Sequence, residues 1–483
     1  MQTRRDQVQA HTFVAGRLVS AMLRAEPDAP NTPQRRFTVG VFIGVLVGVI
    51  LIAGFGIFGY VKPGGKKAFR NPGALIVEKE TGARYILVDG LLRPVLNFAS
   101  AKLILGDELR VVNTSRNSLK GVPHGLPVGI DSAPDFLPDA KQLTGASGRN
   151  WQVCSTLKPD VSGQDQPFVT VHIGGRPTQR ALGDGEALVV RTGDSTVYLA
   201  WKDRRLRIPN DAVLGALGYG SARQQEVGPA WINALPAGPD LEAPNVPGRG
   251  KPGPSIGGQP TRIGQLFEVR AAAQEQFFLL TRDGLVPLTP TGAALIVGDA
   301  RSKQAYPGGR VTALPLDPAA LATSPRIEQP ILDPGLPPSP PKAISETDDD
   351  VPCLQIAVGS EDGADVRVAL GQPPAAASGS SPAGGGGRLA NQVTVQPGGG
   401  LLIRDLPAPG VRDGARYLLV DNGFRYPLPD DGVAGTLGYG DVEPAAVPTT
   451  LLGLVPSGRP LDPNAAKSSA PVAPQERNGT DPL

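Results

Sequence analysis

The chain has 483 residues, with 47 Lys and Arg against 45 Asp and Glu and a formal net charge of +2. A chain this close to neutral has no broad basic field, so its composition argues against nucleic acid as a partner. The 62 Gly and 51 Pro indicate many turns, and the length is sufficient for two or three domains.

A run without charged residues lies at 37–61, FTVGVFIGVLVGVILIAGFGIFGYV. At about 1.5 Å per helical residue it is long enough to cross the roughly 30 Å apolar core of a bilayer. It is longer than a signal peptide and starts farther from the N-terminus, so the sequence predicts a permanent single-pass anchor. Six preceding arginines, including Arg35 and Arg36, outnumber the basic residues that follow and favour a cytoplasmic N-terminus.

Gly40, Gly44 and Gly48 recur every fourth residue of this run, which places them on one helix face. Absent side chains there would let a second membrane helix approach closely, although glycine is also common in membrane helices generally. Before the run, residues 3–25 combine apolar residues at helical spacing with arginines. They predict an amphipathic helix that lies on the membrane surface or packs on a cytoplasmic partner.

Beyond the membrane run the chain repeats itself. ARYILVDGLLRPVL at 83–96 and ARYLLVDNGFRYPL at 415–428 are nearly identical, and weaker copies lie at 196–209 and 276–288. The copies predict β-hairpins, and in two of them the turn is Asp-Gly, which supplies the positive backbone angles of a tight turn. We interpret these turn residues as structural rather than catalytic: Asp89, Gly90, Asp203, Asp283, Gly284 and Asp421.

Different sequence separates the repeats. Cys154 and Cys353 each lie in an apolar, strand-like stretch, and GEALVVRTG and GGGLLIRD predict further strands. We expect these pieces to pair into one central β core to which both halves of the chain contribute. A Cys154–Cys353 disulfide would join the halves and would require an oxidising compartment outside the cytoplasm, whereas two unconnected buried thiols are the alternative.

The predicted fold is a single-pass membrane protein with an elongated, β-rich α+β periplasmic region, in which four repeat modules surround a central β core. The predicted segments are a cytoplasmic N-terminal helix (1–36), a transmembrane helix (37–61), a stalk (62–73), repeat 1 (74–130), a first core segment (145–194), repeat 2 (195–243), a linker (244–261), repeat 3 (262–320), a second core segment (344–408) with a flexible insertion (371–387), repeat 4 (410–455) and a disordered tail (456–483).

The opening TRRDQVQAHTFVAGRLVSAML, the arginine-flanked span, the four modules and the two cysteines together resemble the EccB family of mycobacterial type VII (ESX) secretion systems, in particular the fifth system. The resemblance implies a hexameric inner-membrane assembly with EccC, EccD and EccE, in which EccC is the motor ATPase, and an association with the mycosin protease. It also implies a periplasmic fold related to a cell-wall-binding phage lysin subunit. A structural scaffold is therefore the first hypothesis, and a peptidoglycan-binding module is the second.

EccB proteins have also been described as ATPases, which makes nucleotide chemistry a third hypothesis. A Walker A loop needs Gly-x-x-x-x-Gly-Lys-Ser/Thr, and the Gly-Lys pairs at 65–66 and 250–251 lack both the first glycine and the hydroxyl residue. The acids at 348–350 are at best a weak cation site, because such runs are usually solvated. We therefore predict no catalytic residue, no metal site and no cofactor.

Overall fold

The computed structural model describes residues 3–24, 33–61, 67–144, 146–271, 274–345, 350–374, 381–382 and 387–469. The α-helices are α1 (Arg4–Arg24), α2 (Pro33–Val61), α3 (Phe98–Leu105), α4 (Arg116–Leu119), α5 (Ala140–Leu143), α6 (Asp211–Ala216), α7 (Pro229–Ala234), α8 (Pro290–Gly298), α9 (Pro318–Thr323), α10 (Asp431–Thr436), α11 (Thr449–Leu452) and α12 (Pro463–Lys467).

The strands run in chain order between these helices. They are β1 (Ala74–Glu78), β2 (Arg84–Val88), β3 (Leu91–Pro94), β4 (Arg110–Thr114), β5 (Asn150–Pro159), β6 (Asp165–Ile173), β7 (Arg180–Ala181), β8 (Glu186–Arg191), β9 (Val197–Trp201), β10 (Arg204–Ile208), β11 (Gln225–Glu226), β12 (Leu266–Ala271), β13 (Gln274–Leu280), β14 (Leu285–Leu288), β15 (Leu314–Pro315), β16 (Lys342–Ala343), β17 (Val351–Ser360), β18 (Gly363–Gly371), β19 (Ser381–Pro382), β20 (Gln392–Val395), β21 (Gly400–Leu406), β22 (Arg416–Val420), β23 (Arg425–Leu428) and β24 (Ala445–Pro448).

The chain divides into two units, of which the first contains the two N-terminal helices. At the start of helix α1, the backbone N–H and the hydroxyl of Thr3 both donate to the Asp6 carboxylate, at 3.2 and 2.7 Å, so Asp6 caps the first turn. Helix α2 starts four residues before the predicted span and ends with it at Val61. By length and composition, Arg36–Ile57 is a candidate membrane span.

The first unit also includes residues 78–81 and 113–121, and most of the other strands belong to the second unit. Four small sheets share one strand order. Their orders are β3-β2-β1-β4, β10-β9-β8-β11, β14-β13-β12-β15 and β23-β22-β21-β24, which we call small sheets 1 to 4. The first three strands of each form an antiparallel meander, and in sheets 2 to 4 the fourth strand runs parallel to the first. In each case one helix follows the third strand and a second short helix follows the fourth, so the predicted hairpins are parts of a larger recurring unit.

The outer edge of every small sheet is covered in the same way. A residue of the third strand donates its N–H to a proline carbonyl from the segment after the second short helix, at 2.8 to 3.0 Å. The proline carbonyls belong to Pro123, Pro236, Pro325 and Pro456. Covering an edge strand removes unpaired backbone groups that would otherwise recruit another chain. The second short helix and its proline segment therefore complete each unit.

A seven-stranded sheet, with the order β19-β20-β6-β5-β17-β18-β7, forms the central core. Its middle pair, β5 and β17, brings together strands from the two halves of the chain. One face is apolar and packs against small sheets 2 and 4 and helices α7 and α11, with Trp151 and Trp231 fully buried in it. Strands from both halves of the chain therefore lie side by side in this sheet.

Two strands assigned to the core from sequence belong elsewhere. GEALVVRTG contains β8, which pairs with β9 in small sheet 2, and GGGLLIRD contains most of β21, which pairs with β22 in small sheet 4. The predicted core segments 145–194 and 344–408 are therefore wrong at their C-terminal ends. Residues Ala187–Val190 of β8 are buried on both faces, so a continuous apolar run did not reveal which neighbour the strand pairs with.

The predicted linker at 244–261 is a packed segment rather than a loose tether. Val246 and Ile256 are buried, and Arg249 lies 3.4 Å from Asp299. These contacts join the segment to the elements that follow it in the chain. Glycine and proline content alone misled the prediction, because apolar residues separated by turns can still fill a core.

The predicted disordered tail is wrong for residues 456–469. Leu461 and Ala466 are fully buried against small sheets 1 and 4, and α12 packs on α3. Ser469 forms an antiparallel bridge with Val128 and accepts a 2.7 Å hydrogen bond from Arg93 Nη2. We call residues 461–469 the C-terminal strap. Residues 470–483, the first five residues of the predicted stalk (62–66), the acids at 348–349 and most of the insertion at 371–387 lie outside the described residues.

The small sheets pair crosswise between the two halves. Sheets 2 and 3 share one hydrophobic core, and sheet 4 shares another with helix α3, which follows the third strand of sheet 1. The hydroxyl of Tyr219 donates to the carbonyl of Pro341 at 2.8 Å, and that of Tyr439 donates to Pro138 at 2.7 Å. Each tyrosine belongs to a repeated LGYG motif, and each donates its hydrogen bond to a proline in the other half of the chain. The halves are therefore interlocked by equivalent contacts.

Candidate functional site

The centre of the core sheet holds a disulfide between Cys154 and Cys353. The two cysteines are direct partners on β5 and β17, with Cα atoms 4.1 Å apart, and neither is exposed. The bond joins residues 199 apart in sequence. Closing a loop of that size corresponds to about 5 kcal/mol of stabilisation in the chain-entropy model. It links the two halves at the sheet on which small sheets 2 and 4 pack.

The predicted turn residues lie in four hairpin turns, which differ in length and in the residue that has a positive φ. Asp89 and Gly90 both have positive φ, 51° and 76°, and form a two-residue turn between β2 and β3. Between β9 and β10 the positive φ belongs to Lys202 rather than to Asp203, whose carboxylate instead bonds Arg204 Nε at 2.9 Å.

The other two turns are longer. Asp283 and Gly284 belong to a four-residue connection, in which Gly284 has φ 137° and its carbonyl accepts the Thr281 hydroxyl at 2.8 Å. The Asp421 carboxylate accepts the backbone N–H of Gly398 at 3.1 Å. All four aspartates lie at the sheet ends, away from the disulfide.

The glycine face of α2 is open. A Cβ added at Gly40, Gly44 or Gly48 would meet nothing within 4 Å among the described residues of this chain. Arg36 lies exposed at the start of the candidate span, and Arg35 precedes it within α2. A partner helix along this face stays a prediction.

The Gly-Lys pair at 250–251 has no free phosphate cradle. The N–H of Gly250 donates to Ile263 at 2.8 Å, and that of Lys251 donates to Gly248 at 3.0 Å. A P-loop requires such N–H groups to point at the nucleotide. A Cβ at Gly250 would lie 2.6 Å from the Gln304 carbonyl, so this glycine serves close packing.

In the described part of the second unit, His172, Tyr219 and Tyr439 each have a hydrogen-bond partner. His172 Nδ1 lies 2.8 Å from the Thr394 hydroxyl on the core sheet, and burial lowers the pKa of His172. Burial raises the pKa values of Tyr219 and Tyr439. Among the described ranges, no group of three His, Cys, Asp or Glu side chains is arranged to hold a metal ion.

The sequence matches the family described as "Type VII secretion system ESX-1, transport TM domain B" over residues 1–474. "ESX-1 secretion system ATPase EccB1" of Mycobacterium tuberculosis H37Rv is 26% identical over 473 residues, covering 96% of this chain and 94% of that protein. "ESX-5 secretion system ATPase EccB5" of the same strain is 30% identical over 338 residues, covering 67% and 63%.

Solved structures with the same fold come from assemblies. A chain of an intact ESX-5 inner membrane complex superposes with a TM-score of 0.66 at 25% identity, covering 100% of this chain and 98% of that one. A chain of the EccB3 dimer from the ESX-3 core complex gives a TM-score of 0.64 at 24% identity, covering 82% and 100%.

Proposed function

Because this chain belongs to the EccB family of type VII secretion proteins, we propose that it is a structural core component of an ESX inner-membrane complex. It anchors the complex through α2 and oligomerises through α2 and the periplasmic sheets. A partner motor ATPase then drives protein export through the assembled complex.

One observation carries the proposal. The fold similarity to a subunit of an intact inner membrane complex extends over the whole chain, from the N-terminal helices to the small sheets. A protein that shared only the extracytoplasmic fold would not match over the membrane anchor as well. The disulfide supports an oxidising location for the sheets, and hence a cytoplasmic N-terminus.

The finer proposals follow from family membership. The partners are EccC, EccD, EccE, the mycosin protease and further EccB copies in a hexamer, in the inner membrane. The four small sheets are the repeat modules around the central core. Similarities at 26%, 27% and 30% identity point to systems one, three and five, so assignment to the fifth system stays a prediction.

Native-gel migration of the tagged full-length protein from membranes, with its co-purifying chains identified, tests the scaffold. We expect a very large assembly that contains the motor ATPase. Replacing Gly44 and Gly48 by Leu in α2 should weaken the assembly without expelling the protein from the membrane, whereas Gly54→Leu and Gly56→Leu outside the 40/44/48 repeat serve as the matched control. A free monomer from wild-type membranes would reject the proposal.

Nucleotide hydrolysis is a second candidate, since the names of the relatives include the word ATPase. The occupied N–H groups at 250–251 argue against a phosphate site there. Titration of the purified full-length protein with Mg-ATP should give no saturable hydrolysis. Hydrolysis that survives in a Lys251→Ala control and scales with protein purity would establish an ATPase site elsewhere in the chain.

Peptidoglycan binding is supported only by the lysin-like fold of the family. Purified full-length protein mixed with cell-wall sacculi should remain in the supernatant if scaffolding is its main role. Retention on sacculi at physiological salt would add wall attachment to the function.

A further inference from the structure

Small sheet 2 has an open polar cleft of about 370 Å³ beside the start of β9. The β8–β9 turn supplies Asp194, Ser195 and Thr196 to one wall, and the segment between β10 and α6 supplies Asn210 and Asp211 to the other. The volume lies within the roughly 300–1,000 Å³ typical of ligand sites. Walls of carboxylates and hydroxyls suit a cationic, hydrogen-bonding group.

The first carboxylate is held in place by its own turn. The hydroxyl of Thr192 and the backbone N–H of Thr196 both donate to Asp194 Oδ1. These hydrogen bonds, with the Thr192 hydroxyl first, lower the pKa of Asp194. The carboxylate is therefore ionised and oriented before any ligand arrives.

The second carboxylate has no partner in the part of the chain that the structure describes. No hydrogen bond or salt bridge there engages Asp211. The one basic wall residue, Arg207, is occupied on its other side: its Nε lies 3.0 Å from Asp240 and its Nη2 lies 3.2 Å from Glu242. The cleft therefore presents uncompensated negative charge.

In small sheet 4 an arginine fills the corresponding position. Arg416 is the first residue of β22, as Val197 is the first residue of β9, with the same strand register. Its Nε lies 3.0 Å from Oδ1 of Asp431, which is the first residue of α10 as Asp211 is of α6. Asp431 of sheet 4 thus binds a guanidinium, whereas the equivalent Asp211 of sheet 2 binds none among the described residues.

Small sheet 1 repeats this arrangement with a different acid. Arg84 begins β2, and its Nη1 lies 2.6 Å from Oδ1 of Asp135. The same oxygen accepts the N–H of Phe98, the first residue of α3, at 3.2 Å. In two sister sheets, then, an arginine links the start of the second strand to the start of the helix. Sheet 2 has Val197 in place of this arginine, and the cleft lies where the arginine side chain would be.

We propose that the cleft of small sheet 2 binds the side chain of an arginine from another polypeptide, whose guanidinium takes the position that Arg416 has in small sheet 4. A guanidinium offers five N–H donors in a rigid plane, which suits a cleft lined by two carboxylates and by hydroxyls. A lysine ammonium offers three donors at one point and satisfies fewer of them. The identity of the partner rests on the proposed scaffold, whereas the preference for guanidinium does not.

Thermal unfolding of the purified full-length protein in detergent tests the site with a defined probe, N-acetyl-arginine methylamide. The probe should raise Tm, because a ligand that binds only the folded state stabilises it by mass action. The lysine analogue at the same concentration should bind at least about threefold more weakly. Asp211→Asn, which changes an exposed side chain, should weaken arginine binding by about tenfold, the order expected for losing one charged hydrogen-bond partner.

Two variants complete the test. Val197→Arg should fill the cleft from within and abolish the response, with an unchanged or higher basal Tm. Asp431→Asn, the matched change in small sheet 4, should leave the response intact. An equal Tm rise in wild type and Val197→Arg, or equal responses to the two analogues, would overturn the proposal. Probe binding by a chain that migrates as a monomer would instead reject the scaffold and keep the cleft.

Discussion

Small sheets 2 and 3 are built on the same plan but use one helix differently. In sheet 2 the second helix, α7, buries Ala230, Trp231 and Ile232 in the core beneath the central sheet. In sheet 3 the corresponding helix, α9, buries only Leu321 and leaves Ala319 exposed. The shared β-meander therefore defines the unit, while the helix sequence decides whether the unit docks on the core or faces outward.

The largest expected effect comes from the docked helix. Trp231→Ala should destabilise the protein by about 3–5 kcal/mol, because a fully buried aromatic leaves a cavity between sheet 2 and the core. The matched change in the outward helix, Leu321→Ala, should cost less. Denaturant unfolding of the two full-length variants measures the difference. Equal midpoints would contradict the distinction between docked and outward helices.

The disulfide joins β5 and β17 of the core sheet, so its loss should affect that sheet more than small sheet 3. Replacing Cys154 and Cys353 together by Ser should cost about 2–5 kcal/mol. Hydrogen exchange is expected to quicken in β5 and β17 and to stay unchanged in β12 and β13, since these lie in a separate sheet. Uniformly faster exchange in both regions would mean that sheet 3 unfolds with the core.

A glycine sets how closely sheets 2 and 3 approach each other. A Cβ at Gly298 would lie 2.8 Å from the Cα of Val213, so Gly298→Ala should destabilise the protein by about 1–3 kcal/mol through overpacking of α6 against α8. Gly215→Ala on α6 is the control, because its added Cβ meets nothing within 4 Å. Equal Tm changes in the two variants would show that the close contact at Gly298 is not responsible.

The smallest expected effect is on the pH dependence of stability. Burial lowers the pKa of His172 below its usual value near 6.5, so the folded state favours the neutral ring. The unfolded chain then binds more protons, and stability decreases as pH falls from 6.5 towards the lower folded pKa. His172→Gln should flatten this part of the pH profile of Tm. An unaltered slope in His172→Gln would assign the acid sensitivity to other groups.

Sequence patterns predicted the hairpins, the long apolar helix and the pairing of strands from the two halves, because each depends on local periodicity or on cysteines in matching strands. They did not predict that β8 and β21 join the small sheets, since a strand buried on both faces carries no directional pattern. Aligning 196–209 with 415–428 already contrasts Val197 with Arg416. That substitution was the available signal for the cleft, and its meaning needed the contact between Arg416 and Asp431.

The C-terminal strap has a mechanical consequence. Small sheet 1 is the first sheet after the anchor in the chain, and Ser469 near the other end of the described chain is bonded to it through Val128 and Arg93. Tension applied through the chain that precedes β1 therefore divides between two routes, one along the backbone from β1 and one through the strap into small sheet 4. Two load paths of this kind resist the unfolding of small sheet 1 from one end.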